Sequence, residues 1–233
     1  MSDFLRTSSV WGAAVTIFMF ALGTILNRKT KAAWCNPLLL GSIFVILFLS
    51  LGKISYAEYK ESTSVLTYFL FPATVSLAVP LYEQWELLRK NVLAILAGIL
   101  AGVITSICCV FLIVLAFHLT PEIAVSLLPK SVTTAIGVDV STELGGIPAL
   151  TTAVIILTGI VGNLLAVSLC NLLRITEPIA KGIAVGTSSH AIGTSRALEM
   201  GDVEGAMSSL SIAVAGVLTA VLCPLAACFL SFL

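Results

Sequence analysis

The sequence predicts an all-α polytopic membrane protein of about eight membrane segments, with broken half-helices and internal repeats, an organisation typical of transporters. Three observations support this fold class. Of the 233 residues, 58% are hydrophobic and only 10% are charged, whereas soluble domains carry about 25% charged residues. Apolar runs long enough to cross a hydrocarbon core of ~30 Å recur along the chain. Related polar motifs interrupt three of the apolar stretches.

Runs without Asp, Glu, Lys or Arg predict continuous spans, because about 20 apolar residues cross a bilayer. These runs are Thr7–Asn27, Ala32–Gly52, Asn91–Thr120, Gly145–Leu173 and Gly205–Leu233. Three further stretches are apolar but contain prolines or charged residues, and they predict broken membrane segments. These stretches are Ser62–Tyr82, Pro121–Leu144 and Pro178–Gly201.

The chain predicts a single integral membrane domain over residues 1–233, since no linker or low-complexity stretch divides it. We expect two N-terminal spans in residues 1–60. Three related units, each a broken segment followed by a span, are expected in residues 61–118, 119–174 and 175–233. Arg28, Lys29 and Lys31 form the densest basic loop, and the positive-inside rule places this loop in the cytoplasm and the N-terminus outside.

The composition argues against several other classes of function. The formal net charge is zero and no basic block is present, which argues against nucleic acid as a partner. The two histidines lie far apart and show no metal-ligand spacing. Neither a phosphate-binding loop nor the G-x-S-x-G motif of a nucleophilic serine occurs. We therefore expect no enzyme, no cofactor and no metal site.

A polar motif recurs in the three broken segments. Each copy has two hydroxyl residues separated by one residue, then any residue, then an alanine, then Ile or Val, then Gly or Pro. The hydroxyl pairs are Thr74/Ser76, Ser131/Thr133 and Thr187/Ser189, and the second member recurs after 57 and then 56 residues. Repeats with Gly/Pro-interrupted segments point to a transporter's binding site. Successive repeats are parallel if each broken segment crosses the membrane, and inverted if each re-enters on one side.

The motif supplies groups that suit a small anion, especially a carboxylate. A break frees backbone N–H groups, and the N-terminus of a half-helix carries a partial positive charge. Hydroxyls add donors with little bulk. The candidate substrate-binding residues are Ser131, Thr133, Thr134, Gly137, Thr187, Ser188, Ser189, His190, Gly193, Thr194 and Arg196, with Thr74 and Ser76 as secondary candidates. Close helix packing also explains the small residues, but it explains the charged ones poorly.

Candidates for charge pairing or coupling are four ionisable residues of the same segments, Lys130, Asp139, Glu143 and His190, together with Asn163 of the span Gly145–Leu173. Asp139 and Glu143 share one face if their segment is helical. Buried carboxylates need a partner, and we expect Arg196 to be the first choice and Lys130 the second. Lys130 has an alternative role as a snorkelling residue at the interface. His190 would couple a proton, since an imidazole titrates near pH 6.5; a sodium ion at the hydroxyls is the alternative.

Two long stretches resemble the LrgB/CidB family. They are LPKSVTTAIGVDVSTELGGIPALTTAVIILTGIVGN, which begins at Leu128, and RITEPIAKGIAVGTSSHAIGTSRALEMGDVEGAMSSLSIAVAGVLTAVLCPL, which begins at Arg174. FLFPATVSLAVPLYEQ, from Phe69, is similar to the N-terminal signature of that family. The resemblance covers nearly the whole chain. It implies a fold like the bile-acid/sodium-symporter and antiporter group, with crossed half-helices.

The resemblance also implies two functions. Bacterial members were first described as antiholin-like regulators of murein hydrolases and cell lysis, acting with a small holin-like LrgA/CidA partner. Other members resemble carboxylate carriers: the plastid glycolate/glycerate translocator has an LrgB-like half, and bacterial pairs are linked to pyruvate uptake. Our leading hypothesis is a carrier or exporter subunit for small carboxylates in the cytoplasmic membrane. The rival is an antiholin-like regulator. Both fit a separate LrgA/CidA-like partner and allow a homo-oligomer.

Overall fold

The computed structural model describes residues 10–30 and 37–230, apart from the side chains of Leu70, Phe71, Thr74 and Leu230. The described residues form helices and turns without any strand, which confirms the all-α fold class. They divide into two compact units, one that reaches to Ser76 and one that begins at Leu77. The expectation of one domain built from three related sequence units stays a prediction.

The N-terminal unit contains α1 (Trp11–Thr30), α2 (Pro37–Gly52), α3 (Tyr56–Ser62) and α4 (Ser64–Ser76). Helices α1 and α2 approach closely at Gly41, where an added Cβ would lie 3.3 Å from the Cα of Phe20. Thr16 Oγ1 of α1 and Tyr59 Oη of α3 are 2.6 Å apart. Helices α1 and α2 occupy the two predicted N-terminal spans, while Lys31 of the basic loop lies outside the described residues.

The C-terminal unit holds the helices that form the candidate site. They are α5 (Ala78–Glu83), α6 (Trp85–Phe117), α7 (Pro121–Leu127), α8 (Thr134–Glu143), α9 (Pro148–Leu172), α10 (Pro178–Met200) and α11 (Asp202–Leu230). Helices α6, α9 and α11, like α1, are long and apolar enough to cross a membrane. They coincide with predicted spans, so the chain is a membrane protein with several spanning helices.

Helix α10 reverses its direction at His190. The backbone there has φ 43° and ψ −143°, which interrupts the helix. Val185 and Ala197 belong to one small apolar cluster with Ala166 of α9, although a continuous helix would hold them about 18 Å apart. Lys181 and Met200, near the two ends of the segment, line one common pocket. Residues 178–200 therefore form a helical hairpin, hairpin B, with His190 at its tip.

The segment before α9 reverses in the same way. Ser126 Oγ of α7 accepts a hydrogen bond of 2.7 Å from the backbone N–H of Ile147, which lies beyond α8. Val125 of α7 and Val140 of α8 belong to one apolar cluster. The chain turns between the end of α7 and the start of α8 at Thr134. Residues 121–143 thus form hairpin A, with residues 129–133 at its tip.

The two hairpins enter the unit from opposite ends of α9. Hairpin A opens beside Ile147, where α9 begins, and hairpin B opens at a pocket lined by Asn171, where α9 ends. Both reach Ile155, since Gly137 of hairpin A packs against its side chain and His190 lies 3.0 Å from its carbonyl oxygen. Because each hairpin begins and ends on one side, the second and third repeats are inverted rather than parallel.

The predicted breaks in the second and third copies of the motif are confirmed by these reversals. The first copy crosses the boundary between the two compact units, between Ser76 and Leu77. Leu77, between α4 and α5, keeps helical angles of φ −65° and ψ −15°. Ser76 is exposed and its hydroxyl donates to the carbonyl of Ala73 at 2.7 Å, whereas the side chain of Thr74 lies outside the described residues. The first copy is therefore a short interruption between two helices.

Two apolar clusters lie above and below the level where the tips meet. One contains Val110 of α6 together with residues of hairpin A and the end of α11. The other contains Ile99 of α6 together with Ile183 of hairpin B and the first half of α11. Ser106 lies between these two levels of α6. The clusters therefore separate a polar layer in the middle of the unit from both of its ends.

The reversal of α10 predicts a cross-link. In a chain whose native cysteines are replaced, we expect Val185→Cys and Ala197→Cys to form a disulfide under mild oxidation, because bridged cysteines need Cα atoms within about 7 Å. Leu93→Cys and Thr105→Cys, which have the same sequence separation within α6, are the control and should both stay free. Mass measurement after maleimide labelling counts the free thiols. Full labelling of the 185/197 pair would mean that α10 is not a hairpin.

Candidate functional site

The tips of both hairpins line one small buried cavity. Its walls include Ser131 of hairpin A, Thr187 of hairpin B, Ser106 of α6 and Thr219 of α11. The cavity has room for about one water molecule. Ser106 and Thr219 each lie near the middle of a long uncharged run, so the cavity lies near the middle of the spanning helices.

Hairpin A contributes Ser131 and the start of α8. Ser131 Oγ is 3.0 Å from Ser106 Oγ, and it accepts a hydrogen bond of 3.0 Å from Lys130 Nζ. Thr133 has an extended backbone, with φ −64° and ψ 149°, and precedes α8 without capping it through its side chain. The first N–H groups of α8, which begins at Thr134, therefore lack a side-chain acceptor from Thr133. Gly137 is buried against Ile155.

Hairpin B brings one of its three consecutive hydroxyl residues to the cavity. Thr187 and Ser189 are buried, whereas Ser188 is exposed. Thr187 lines the cavity, and its hydroxyl donates to the carbonyl of Ile183 at 2.7 Å. The hydroxyls of Ser188 and Ser189 lie 3.0 Å apart. Thr187 can accept a further hydrogen bond but has its single proton already engaged.

His190 fastens the tip of hairpin B to α9. Its side chain is 3% exposed, and Nε2 lies 3.0 Å from the carbonyl oxygen of Ile155. A carbonyl only accepts, so Nε2 carries the hydrogen in this arrangement. Gly159 of α9 leaves space for the ring, because an added Cβ would lie 2.7 Å from His190 Cε1. The ring therefore has a positioning role, and its role in proton coupling stays a prediction.

The residues beyond the tip hold the second half of hairpin B in place. Thr194 Oγ1 donates to the carbonyl of His190 at 2.9 Å and lies 2.7 Å from Ser208 Oγ of α11. Asn163 Nδ2 of α9 donates to the carbonyl of Ile192 at 2.7 Å. Gly193 is buried. These predicted site residues support the tip from behind and do not line the cavity.

Arg196 is not at the cavity, and its expected pairing with Asp139 or Glu143 is wrong. It forms an ion pair with Glu199, one turn along the same half of hairpin B. Asp139 and Glu143 are exposed residues of α8 in hairpin A. The error has a physical cause. Matching positions in two parallel repeats would lie side by side, but these repeats are inverted, so their second halves extend toward opposite ends of α9.

The open end of hairpin B carries the other charges. Lys181 Nζ and Glu204 Oε1 of α11 are 3.9 Å apart. Together with Arg196 and Glu199 they line a pocket of about 320 Å³ near the end of α9. Positive and negative groups are balanced there. This pocket therefore forms a polar mouth at one end of the unit, separate from the central cavity.

Sequence reasoning missed Ser106 and Thr219, which belong to no copy of the motif. The signal that could have found them is their place near the centres of uncharged runs, where hydroxyl groups have no bulk water. It also missed a mainly apolar groove of about 530 Å³ that runs along α6 and the first half of hairpin B, from Asn91 to Thr187. Thr187 lines both the groove and the cavity.

Within residues 10–30 and 37–230, no group of three or more His, Cys, Asp or Glu side chains is arranged to hold a metal ion. The chemistry of the site therefore rests on hydroxyls, one imidazole and one ammonium group. Such groups can hydrogen-bond a small anion, move a proton or hold water.

Comparison with known proteins identifies the family of this chain. The LrgB-like family model matches residues 16–229. The chain is 37% identical over 218 residues to the antiholin-like protein LrgB of Bacillus subtilis (strain 168), which covers 93% of this chain and 94% of the relative. It is 36% identical over 216 residues to the protein of the same name in Bacillus cereus (strain B4264), covering 92% and 94%. No solved structure matches the chain. The chain therefore belongs to the LrgB-like family.

Proposed function

We propose that this protein is a carrier subunit that moves small carboxylates, such as pyruvate, glycolate or glycerate, across the cytoplasmic membrane. One observation carries the proposal: two inverted hairpins bring polar tips together around a buried cavity near the middle of the spanning helices. Broken helices with polar tips at mid-membrane are the usual binding site of carriers built from inverted repeats. The proposal uses no catalytic group.

The cavity is too small for the proposed substrates, so the hairpin tips must move to admit them. It holds about one water, so an acid of two or three carbons enters only if the tips separate. Hairpin A is rooted at the start of α9 and hairpin B at its end, so withdrawing one tip opens the cavity toward one side only. The groove that ends at Thr187 offers a route along hairpin B. The described state is closed between the two apolar clusters.

The names of the relatives favour a second candidate, an antiholin-like membrane regulator. Both relatives are called antiholin-like, and that name gives no support to a carboxylate substrate. In this reading the chain binds a small holin-like LrgA/CidA-type partner and restrains murein hydrolase activity and lysis. The two candidates are compatible, because carriage of a metabolic acid would alter lysis through metabolism without direct control of a hydrolase.

Reconstitution separates the two candidates. We expect purified protein in liposomes to take up labelled pyruvate, glycolate or glycerate, with and without a co-reconstituted holin-like partner. Ser131→Ala should weaken substrate binding by about 1–3 kcal/mol, because it removes a buried hydrogen-bonding group. Thr105→Val is the matched control, since Thr105 is exposed next to Ser106 and donates to the carbonyl of Ala101.

Three outcomes are informative. Uptake that falls in Ser131→Ala and not in Thr105→Val supports carriage through the cavity. Absence of uptake for all three acids, with and without the partner, would reject the carrier. If partner-dependent lysis is then still controlled by this chain in cells, the antiholin-like function is the correct one.

A further inference from the structure

We propose that Lys130 anchors a singly charged anion at the central cavity, with the hydroxyls of Ser106, Ser131 and Thr219 completing the site. This inference deepens the proposed function, on which it rests for the identity of the anion as a small carboxylate. It moves the anion-holding role from Arg196, a residue of hairpin B, to the tip of hairpin A. It also adds Ser106 and Thr219, which no copy of the motif contains.

Lys130 is a half-buried cation next to the central cavity, and it has no carboxylate partner in the described part of the chain. The ion pairs found there are Lys181 with Glu204 and Arg196 with Glu199. Lys130 donates to Ser131 Oγ, which is a neutral acceptor. An ammonium group has three protons to donate, so two remain for a ligand beside the wall of the cavity.

Lys130 cannot reach the membrane surface as a snorkelling residue. Its neighbour Ser131 contacts Ser106, which lies near the middle of the uncharged run of α6. From Ser106 to the end of α6 at Phe117 the helix rises by about 17 Å. A four-carbon side chain is much shorter than this distance. The charge is therefore held at mid-membrane, where it is costly unless an anion compensates it.

Thr219 provides an independent sign that the cavity is built for a ligand. Its side chain is 5% exposed and lines the cavity. Among the described residues no hydrogen bond to its hydroxyl is formed, whereas Thr187 and Thr194 bond to backbone carbonyls. No fully buried side-chain oxygen or nitrogen of the described residues lacks a partner, so this unbonded hydroxyl still reaches open space, which at a residue lining the cavity leaves it able to bond a ligand. A bound anion would accept hydrogen bonds from Thr219 and from Lys130.

The arrangement also defines the kind of anion. One ammonium group balances one negative charge. The lining of the cavity itself contains no cation, and Lys130 stands next to it through its hydrogen bond to the wall residue Ser131. The neutral hydroxyls of Ser106, Ser131 and Thr219 lie on three different elements, so they surround the anion and can bond a second oxygen, such as a 2-oxo or 2-hydroxy group. Dicarboxylates would leave one carboxylate unpaired at mid-membrane.

The test measures flux and anion binding together. Lys130→Met and Thr219→Val are compared with Lys130→Arg, and Lys90→Met and Thr105→Val are the controls, since both wild-type side chains are exposed on α6. The readouts are KM and maximal rate for pyruvate uptake by proteoliposomes, and the rise in melting temperature of purified protein in pyruvate, succinate or chloride.

We expect Lys130→Met to raise KM at least about tenfold and to abolish stabilisation by pyruvate. Lys130→Arg should keep the wild-type KM and should still be stabilised by pyruvate. Thr219→Val should raise KM several-fold, and the controls should match the wild type. Wild-type values of KM and of stabilisation in Lys130→Met would overturn the inference. If Lys130→Met does not fold, an unchanged KM in the isosteric Thr219→Val variant overturns it.

Failure of the proposed function looks different. Suppose that the wild type transports no carboxylate, and that chloride or pyruvate stabilises the wild type but does not stabilise Lys130→Met. The anion site is then supported and the carrier function is rejected. If the wild type transports pyruvate and Lys130→Met does so equally well, the carrier stands and the anchor is rejected.

Discussion

Replacing Gly186 by alanine is expected to separate hairpin B from α11 and to cause a large loss of stability. A Cβ at this position would lie 2.5 Å from the carbonyl oxygen of Ser208 and 2.8 Å from its Cα. Both atoms belong to the backbone of α11, which cannot turn aside as a side chain can. Overpacking costs about 1–3 kcal/mol, a large share of a total of about 5–15 kcal/mol.

The measurement is the melting temperature of the detergent-purified protein, with gel filtration as a check of its folded state. Gly98→Ala is the matched control, because a Cβ there meets Ile183 Cγ2 at an ordinary distance of 3.4 Å. Alanine is favoured over glycine inside a helix by about 0.5–1 kcal/mol, so Gly98→Ala should melt at or above the wild-type temperature. If both variants melt like the wild type, hairpin B does not pack on α11 as described.

Replacing His190 by leucine is expected to produce the largest loss of transport among substitutions of the tip of hairpin B. Leucine removes the hydrogen bond from Nε2 to the carbonyl of Ile155, so it releases the tip from α9. It also keeps a branched side chain at a residue whose φ of 43° is unusual for anything but glycine. Tip residues act through their position, and a displacement of about 1 Å can cost a hundredfold in rate.

His190→Gln distinguishes attachment from proton coupling. A glutamine amide can donate to the same carbonyl but does not titrate. We expect this variant to keep a large part of the wild-type flux. Its flux should not vary with pH across about pH 5 to 8, the range in which an imidazole gains and loses its proton. If His190→Gln keeps the wild-type pH profile, the histidine only attaches the tip and the coupling ion binds elsewhere.

The repeated motif predicted the two chain reversals and two of the residues that line the cavity. Other residues that it predicted for the site do not line the cavity. The copies at Ser131/Thr133 and Thr187/Ser189 identified the two chain reversals, because a polar, Gly-containing interruption of an apolar stretch can be tolerated only inside the protein. Ser131 and Thr187 do meet at one cavity. Ser188 and Arg196 carry suitable chemistry, yet they point away from it.

Composition and hydropathy were enough to predict an all-α membrane protein with interrupted segments, since they decide which solvent a chain can enter. Long and specific motifs were enough to predict the LrgB-like family. The inversion of the second and third repeats became visible only in the packing of the helices. A single residue, His190, reverses α10 through its backbone angles. Hydrophobic periodicity does not predict a turn of this kind. The reversal separates Arg196 from Asp139, and the packing of hairpin A brings Ser131, Ser106 and Thr219 around one cavity. Contacts between residues of different helices depend on which helices pack together. Helices that are apolar on all sides do not specify their packing partners through their local sequence.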